Sequence, residues 1–314
     1  MHAGQASRSA VAVNALIYRP PRALGIITGG ALTAWAAAAA AICVYLAVGA
    51  DAEFRTFLAW AAAAALGALA LVFAHWTYSV ATLAYVITRD ALTITWGFRQ
   101  VIVPLENIQR MVPGWRIDAP RVEGVNWWGC HIGVAEMPRI GYTLFYATLD
   151  TPDHLLYIVT DAEAYALTVL EQASFAEAIQ ARAALEPTGE PLVHRSVATG
   201  PAALPFWRDR AAMVTTGVAA VACGALGGFL FGSYPALPDV VEIRYPELGG
   251  VVRVGDRAEL LRIAQAGFGI LVVNLVLGIL VHARERAAGL WLFGAAAILQ
   301  VVLLGAAVLA VQFA

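Results

Sequence analysis

His131, Glu136, Asp153 and His154 are the residues whose types suit acid–base or metal chemistry and that lie near one another in the chain. A zinc hydrolase would place two histidines one helical turn apart with a glutamate between them, and a serine hydrolase would raise its nucleophile on a Gly-x-Ser-x-Gly turn. Neither spacing occurs here. Cys130 and His131 are adjacent, a poor geometry for sharing one ion, and Cys43, Cys130 and Cys223 form no Cys-x-x-Cys pair. Neither a zinc site nor a disulfide framework is supported. Trp96, Trp115, Trp127 and Trp128 could line an aromatic ligand pocket. The simpler reading is that they fill a β core or rest at a membrane surface, where amphipathic indoles collect. We therefore expect no catalytic residue, no cofactor and no metal, and a protein that is not an enzyme.

The elements around these residues are more telling. Of 314 residues, 60% are hydrophobic and only 13% charged, with a mean hydropathy of +0.70. A soluble chain carries roughly a quarter charged residues. The deficit is concentrated in five apolar stretches, Ala23–Ala50, Thr56–Trp76, Ala211–Ser233, Ile263–Ala283 and Ala287–Phe313. Each is long enough to cross a hydrocarbon core of about 30 Å. The first is too long for a plain signal peptide.

None of the five contains Asp, Glu or Arg, which transporters and proton relays place at mid-membrane despite the cost. Asn274 and Gln300 are expected to hydrogen-bond between helices, and His75 lies near a span end. Gly25-x-x-x-Gly29 and Gly224-x-x-x-Gly228-x-x-x-Gly232 offer close helix contacts, within one chain or between two.

Arginine sets the expected orientation, because cytoplasmic loops carry the positive excess. The chain has no lysine, which we read as a GC-rich codon bias. The tail carries Arg8, Arg19 and Arg22 with no acid, and Arg195, Arg208, Arg210, Arg284 and Arg286 fall on the same side. The hairpin Asp51-Ala-Glu-Phe-Arg55 and the loop 234–262 fall on the other, where four arginines meet Asp239, Glu242, Glu247, Asp256 and Glu259. The expected domains are a cytoplasmic tail (1–22), a helical hairpin (23–76), a polar domain (77–190), a linker (191–210) and a three-helix module (211–314).

Residues 77–190 read as strands closed by one helix. Leu83–Thr88, Ala91–Trp96 and Phe98–Val103 alternate about turns at Arg89-Asp90 and Gly97. Tyr142–Leu149, His154–Thr160 and Glu163–Val169 form a second run, punctuated by Asp150-Thr-Pro-Asp153 and Asp161-Ala162. Glu171–Leu185 takes helical spacing, with Phe175, Ala178, Ile179 and Ala183 available for one face. Pro187, Gly189 and Pro191 end it. Leu92, Ile94, Ile102, Ile108 and Phe175 are expected to be buried.

Tyr85-x-Ile87-Thr88, Leu92-x-Ile94-x-x-Gly97, Ile102-x-Pro104-Leu105-x-x-Ile108 and Trp127-Trp128-Gly129 occur in that order, followed by Tyr142, Leu155–Thr160, Tyr165-Ala-Leu and Phe175. Over about a hundred residues this resembles the bacterial pleckstrin-homology (PH) domain family of membrane proteins. The resemblance implies a β-barrel capped by a C-terminal helix. After the third span, Tyr234-Pro-Ala-Leu-Pro-Asp239-Val-Val-Glu-Ile-Arg244 resembles the opening of a small bacterial membrane domain of unknown function, the DUF1648 type. That family has His where this chain has Arg244 and Pro where it has Glu242. Asn274-Leu-Val-Leu-Gly278 and the Arg284-Glu-Arg286 turn agree with it.

Charge narrows the partners. Across 77–190, 7 arginines face 13 acids, a balance of −6, and the first strand-to-strand loop carries one arginine beside one aspartate. An anionic leaflet repels such a domain, so no specific phosphoinositide binding is expected unless Arg116, Arg121 and Arg139 gather on one face. The net charge of −2 argues against nucleic acid.

The fold class expected is an α+β membrane protein: five transmembrane α-helices with an inserted PH-like β-barrel capped by a helix. It would sit in a bacterial inner (plasma) membrane, with N-terminus and PH-like domain cytoplasmic and C-terminus external. The expected function is a scaffold that presents the PH-like domain to a protein partner or to itself. The alternative is a small transport or envelope-stress component with an active bundle and a regulatory domain.

Overall fold

The computed structural model describes residues 15–117, 121–185, 192–245 and 251–312. Arg8, Pro187, Gly189, Pro191 and Glu247 lie outside them. Five long helices carry the apolar stretches: α1 (Ala23–Ala47), α2 (Phe54–Thr82), α4 (Arg210–Ser233), α5 (Ala258–His282) and α6 (Arg286–Gln312). Each is long and apolar enough to cross a membrane, so the chain is a multi-pass membrane protein. The chain forms two compact units. One is Met1–Trp35 with Leu69–Ala203, and the other is Ala36–Ala68 with Leu204–Ala314.

The first unit holds two sheets. Strands β1 (Leu16–Tyr18), β2 (Ala84–Ile87), β3 (Ala91–Trp96), β4 (Arg99–Pro104) and β11 (Arg195–Ala198) form one, entirely antiparallel. The other has six strands in the order β5-β9-β10-β8-β7-β6, with β8 and β10 parallel. Their ranges are β5 Ile108–Pro113, β6 Glu123–Trp127, β7 Cys130–Met137, β8 Gly141–Ala147, β9 Leu155–Thr160 and β10 Ala164–Thr168.

Local chemistry sets the turns. Between β2 and β3, Thr88 Oγ1 accepts from Ala91 N at 3.1 Å, while Thr88 N donates to Ala91 O at 2.9 Å. Between β3 and β4, Gly97 has φ +55°, and a Cβ there would overlap Ser79 Oγ near the end of α2. Its N–H donates to Thr82 Oγ1 at 2.9 Å, which fastens the turn to the same helix end.

The two sheets share a core. Tyr85, Ile87, Leu92, Ile94, Val101 and Val103 from the first meet Leu156, Ile158, Tyr165 and Leu167 from the second. Helix α3 (Gln172–Ala183) closes this core with Phe175 and Ile179, and Tyr18 of β1 stands edge-on to Phe175 with ring centroids 4.8 Å apart. A second cluster, including Phe145, Tyr157, Leu155 and Met137, fills the opposite face of the six-stranded sheet.

Several expectations are corrected. The strands do not close into a barrel: among the described residues no ladder joins the sheets, whose edges are β1 and β11 in one and β5 and β6 in the other. The chain leaves the first sheet where Pro104, which has no N–H, is followed by a 3₁₀ turn at Leu105–Asn107. Ile102 is only half-buried. It stands opposite Arg195 in the β4–β11 register, and its neighbours Val101 and Val103 take the core face. Ile108 is half-buried too, beside a register shift between Ile108 and Arg110. β1 and β11 come from segments read as tail and linker, and β5, β6 and β7 from a stretch whose sequence predicts no strand.

The second unit packs α4, α5 and α6 together with the first part of α2. Gln300 Nε2 donates to Gly267 O at 2.6 Å, the interhelical bond expected of it. Asn274 instead bonds within its own helix, to Ile270 O at 2.9 Å. Of the second glycine stripe, Gly228 lies against the Phe57 ring and Gly232 against Phe54, while Gly224 faces open space. The loop 234–262 contains a hairpin of β12 (Val240–Tyr245) and β13 (Val251–Asp256).

Candidate functional site

The residues considered first for chemistry are not brought together. His131 and Glu136 lie five positions apart on β7, and Asp153 and His154 sit in a 3₁₀ turn before β9. His131 Nδ1 is paired with Asn126 Oδ1 at 2.7 Å, across the β6–β7 pair, and burial holds its pKa below the usual histidine value. Cys130 is fully buried and its thiol is pushed up to about 12, far from a reactive thiolate. Among the described residues no three His, Cys, Asp or Glu side chains gather in a way that could hold a metal.

The tryptophans separate as well. Trp96 packs against Trp76 of α2, with centroids 5.3 Å apart, and Trp127 stands edge-on to Phe73 at 6.2 Å. Trp115 and Trp128 point outward, 59% and 78% exposed. The four do not form one pocket. Of the arginines considered as a cluster, Arg116 lies over the Trp115 ring at 4.7 Å. Arg139, in the left-handed region at φ 69°, offers its carbonyl to Arg110 Nη2 at 2.9 Å.

Strand edges are what this unit offers a ligand. β6 pairs only with β7 in the six-stranded sheet, most of its residues are half-buried or exposed, and Trp128 follows directly. An edge strand carries unpaired backbone donors and acceptors, and proteins use such edges to accept a further strand.

Two polar clusters escaped the sequence reading. In the first unit the Tyr165 hydroxyl donates to Glu163 Oε1 and meets His194 Nε2 at 2.7 Å, just before β11. Burial raises the Tyr165 pKa strongly, and the Glu163 carboxylate adds to that. In the second unit Asp209 caps α4 by accepting from Ala211 N at 3.0 Å, and it pairs with Arg286 Nε at 2.6 Å and with His282 Nε2 at 3.5 Å. The hydrogen bond from Arg286 holds its carboxyl down at about 2. An aspartate immediately before an apolar helix is a readable cap signal. Its partners 73 and 77 residues away are not.

On comparison with known proteins, residues 83–183 fit the family model of the bacterial PH domain. That range runs from just before β2 to the end of α3 and takes in every strand of the six-stranded sheet. No curated protein and no solved structure shows significant similarity to the chain.

Proposed function

We propose that this chain is a membrane-anchored interaction protein of a bacterial inner membrane, which holds a PH-like domain on the cytoplasmic side and presents it to a protein partner. The observation that carries this reading is the open edge at β6 with Trp128 beside it. The domain's acidic balance of −6 favours a protein over an anionic lipid surface as what it meets. A strand added at this edge would gain backbone hydrogen bonds, and exposed Trp128 would supply the aromatic anchor that interfaces favour. We read the role as a scaffold's. The helical unit serves as anchor, and its Leu-Pro-Asp hairpin is read as a DUF1648-type module.

The test is a photo-crosslinking residue placed at Trp128 in the full chain, in native membranes, with the same residue at exposed Leu185 of the closing segment as control. A discrete protein adduct at position 128 and none at 185 supports the reading. Lipid adducts alone, or equal adducts at both positions, would count against it.

A further inference from the structure

At one end of the helical unit, where α4 and α6 begin and α5 ends, Asp209 ties two segments that are far apart in sequence. Arg286 donates to it through Nε at 2.6 Å and Nη2 at 3.4 Å, and His282 approaches at 3.5 Å. That bond brings Arg208 and Arg210, which flank Asp209, to the same end as Arg284 and Arg286. Four arginines stand there against two carboxylates, Asp209 and Glu285.

Asp209 is fully engaged by Arg286 and the two backbone amides it caps. Arg208, Arg210 and Arg284 are exposed and make no ion pair among the described residues. The positive ends of α4 and α6 lie here as well, offset in part by the negative end of α5 and by the Asp209 cap on α4.

The opposite end of the unit has the other balance. Asp51 and Glu53 lie there with Arg55, and Arg257 is paired with Asp239 at 3.2 Å near Asp256, Glu259 and the exposed Arg262. Phe57 and Phe231 place both turns at this end, with ring centroids 6.3 Å apart. Arg208, Arg210 and Arg284 thus form an exposed group of arginines at one end of a bundle whose helices are long enough to span a bilayer.

Depth supplies a second, independent indication. Trp207 precedes Arg208 and is 55% exposed, and Trp291, five residues into α6 from Arg286, is 78% exposed. Five helical residues rise about 7.5 Å, so these indoles and the arginines occupy neighbouring levels. Exposed tryptophan beside arginine at a helix end marks headgroup depth.

We propose that this end of the helical unit is a binding site for the phosphate of an anionic phospholipid headgroup, held by Arg208, Arg210 and Arg284. The guanidinium groups supply charge-assisted hydrogen bonds to phosphate oxygens. Arg286, fixed by Asp209, is a positioning residue that holds the α5–α6 turn against the start of α4. The site lies within the helical unit and does not depend on the PH-like domain's partner.

The test uses the full chain purified in a nonionic detergent, with native mass spectrometry of added phosphatidylglycerol and of phosphatidylcholine bearing the same acyl chains. The wild type should retain phosphatidylglycerol in preference. Each arginine beside an anionic group is worth about fivefold, so R208Q/R210Q/R284Q should bind it about a hundredfold more weakly. R284Q alone, the milder change should the triple variant fold poorly, should lose about fivefold. R110Q/R116Q/R139Q in the PH-like domain should bind as the wild type does. Equal retention of the two lipids, undiminished binding by R284Q, or loss in the PH-domain variant would overturn the proposal. Displacement of the lipid by millimolar inorganic phosphate would identify a soluble anion as the ligand and overturn it equally.

Discussion

Gly25, in the first turn of α1, and Gly129, in the turn between β6 and β7, touch backbone to backbone: a Cβ on either residue would overlap the main chain of the other. The sequence suggests a helix–helix role for Gly25, but the contact joins the start of a membrane helix to the PH-like domain. Gly129 carries a second constraint, since its φ of +85° is one that L side chains rarely adopt. Gly25→Ala should destabilise this contact by about 1–3 kcal/mol, the usual cost of overpacking. Hydrogen exchange of residues 123–137 in the full chain should rise in Gly25→Ala. It should stay unchanged in Gly30→Ala, where a Cβ meets open space.

Phe175 closes the core between the two sheets and is fully buried, whereas Ile102 faces outward with Arg195. Phe175→Ala should cost about 3–5 kcal/mol, a large part of the 5–15 kcal/mol that typically holds a domain together. Ile102→Ala should cost clearly less. Urea unfolding followed by tryptophan fluorescence would rank the two, and equal losses would mean that α3 does not cap the core.

Tyr85 connects the two sheets through one oxygen, donating to Tyr146 O at 2.6 Å and accepting from Thr168 N at 3.1 Å. Its ring is fully buried and burial keeps the phenol protonated well above its ordinary pKa. Tyr85→Phe keeps the packing and strands two backbone groups, which should cost about 1–3 kcal/mol. The melting temperature should fall with no change in secondary-structure content.

Asp209 gives a pH signature. The hydrogen bond from Arg286 favours the charged form and holds the Asp209 carboxyl down at about 2, below the 3.8 of an ordinary aspartate. The pair's contribution is complete above pH 3.8 and is lost as pH falls through about 2. Wild-type stability should therefore drop in that acid window, and Asp209→Asn should lose this part of the dependence. Parallel profiles for the two proteins would show that Asp209 is not held by Arg286.

Much of this architecture was legible, for identifiable reasons. β2, β3 and β4 alternate cleanly and are divided by Thr88–Ala91 and Gly97, so both the elements and their turns could be read. The phase of β4 could not, because Val101, Ile102 and Val103 are apolar on both faces and only the β11 partner decides which side is inside. β5 ends in Pro113 and bulges near Arg110, and β6 contains Gly124 and Asn126, so neither carries a strand signature. β1 has 3 residues and β11 has 4, too few to show a period. The arginines at the end of the helical unit were visible as topology signals. Their meeting was not, because it depends on a bond between Asp209 and Arg286 that spans 77 positions.

The proposed arrangement holds the PH-like domain at the cytoplasmic face by a bundle with an odd number of spans. Reporter fusions in living cells test this directly, one placed after Leu185 and one at Gly249. The expected result is a cytoplasmic signal at the first and an external signal at the second. Reversed signals at both positions would contradict the orientation, and the same signal at both would contradict the helix count on which the anchored arrangement depends.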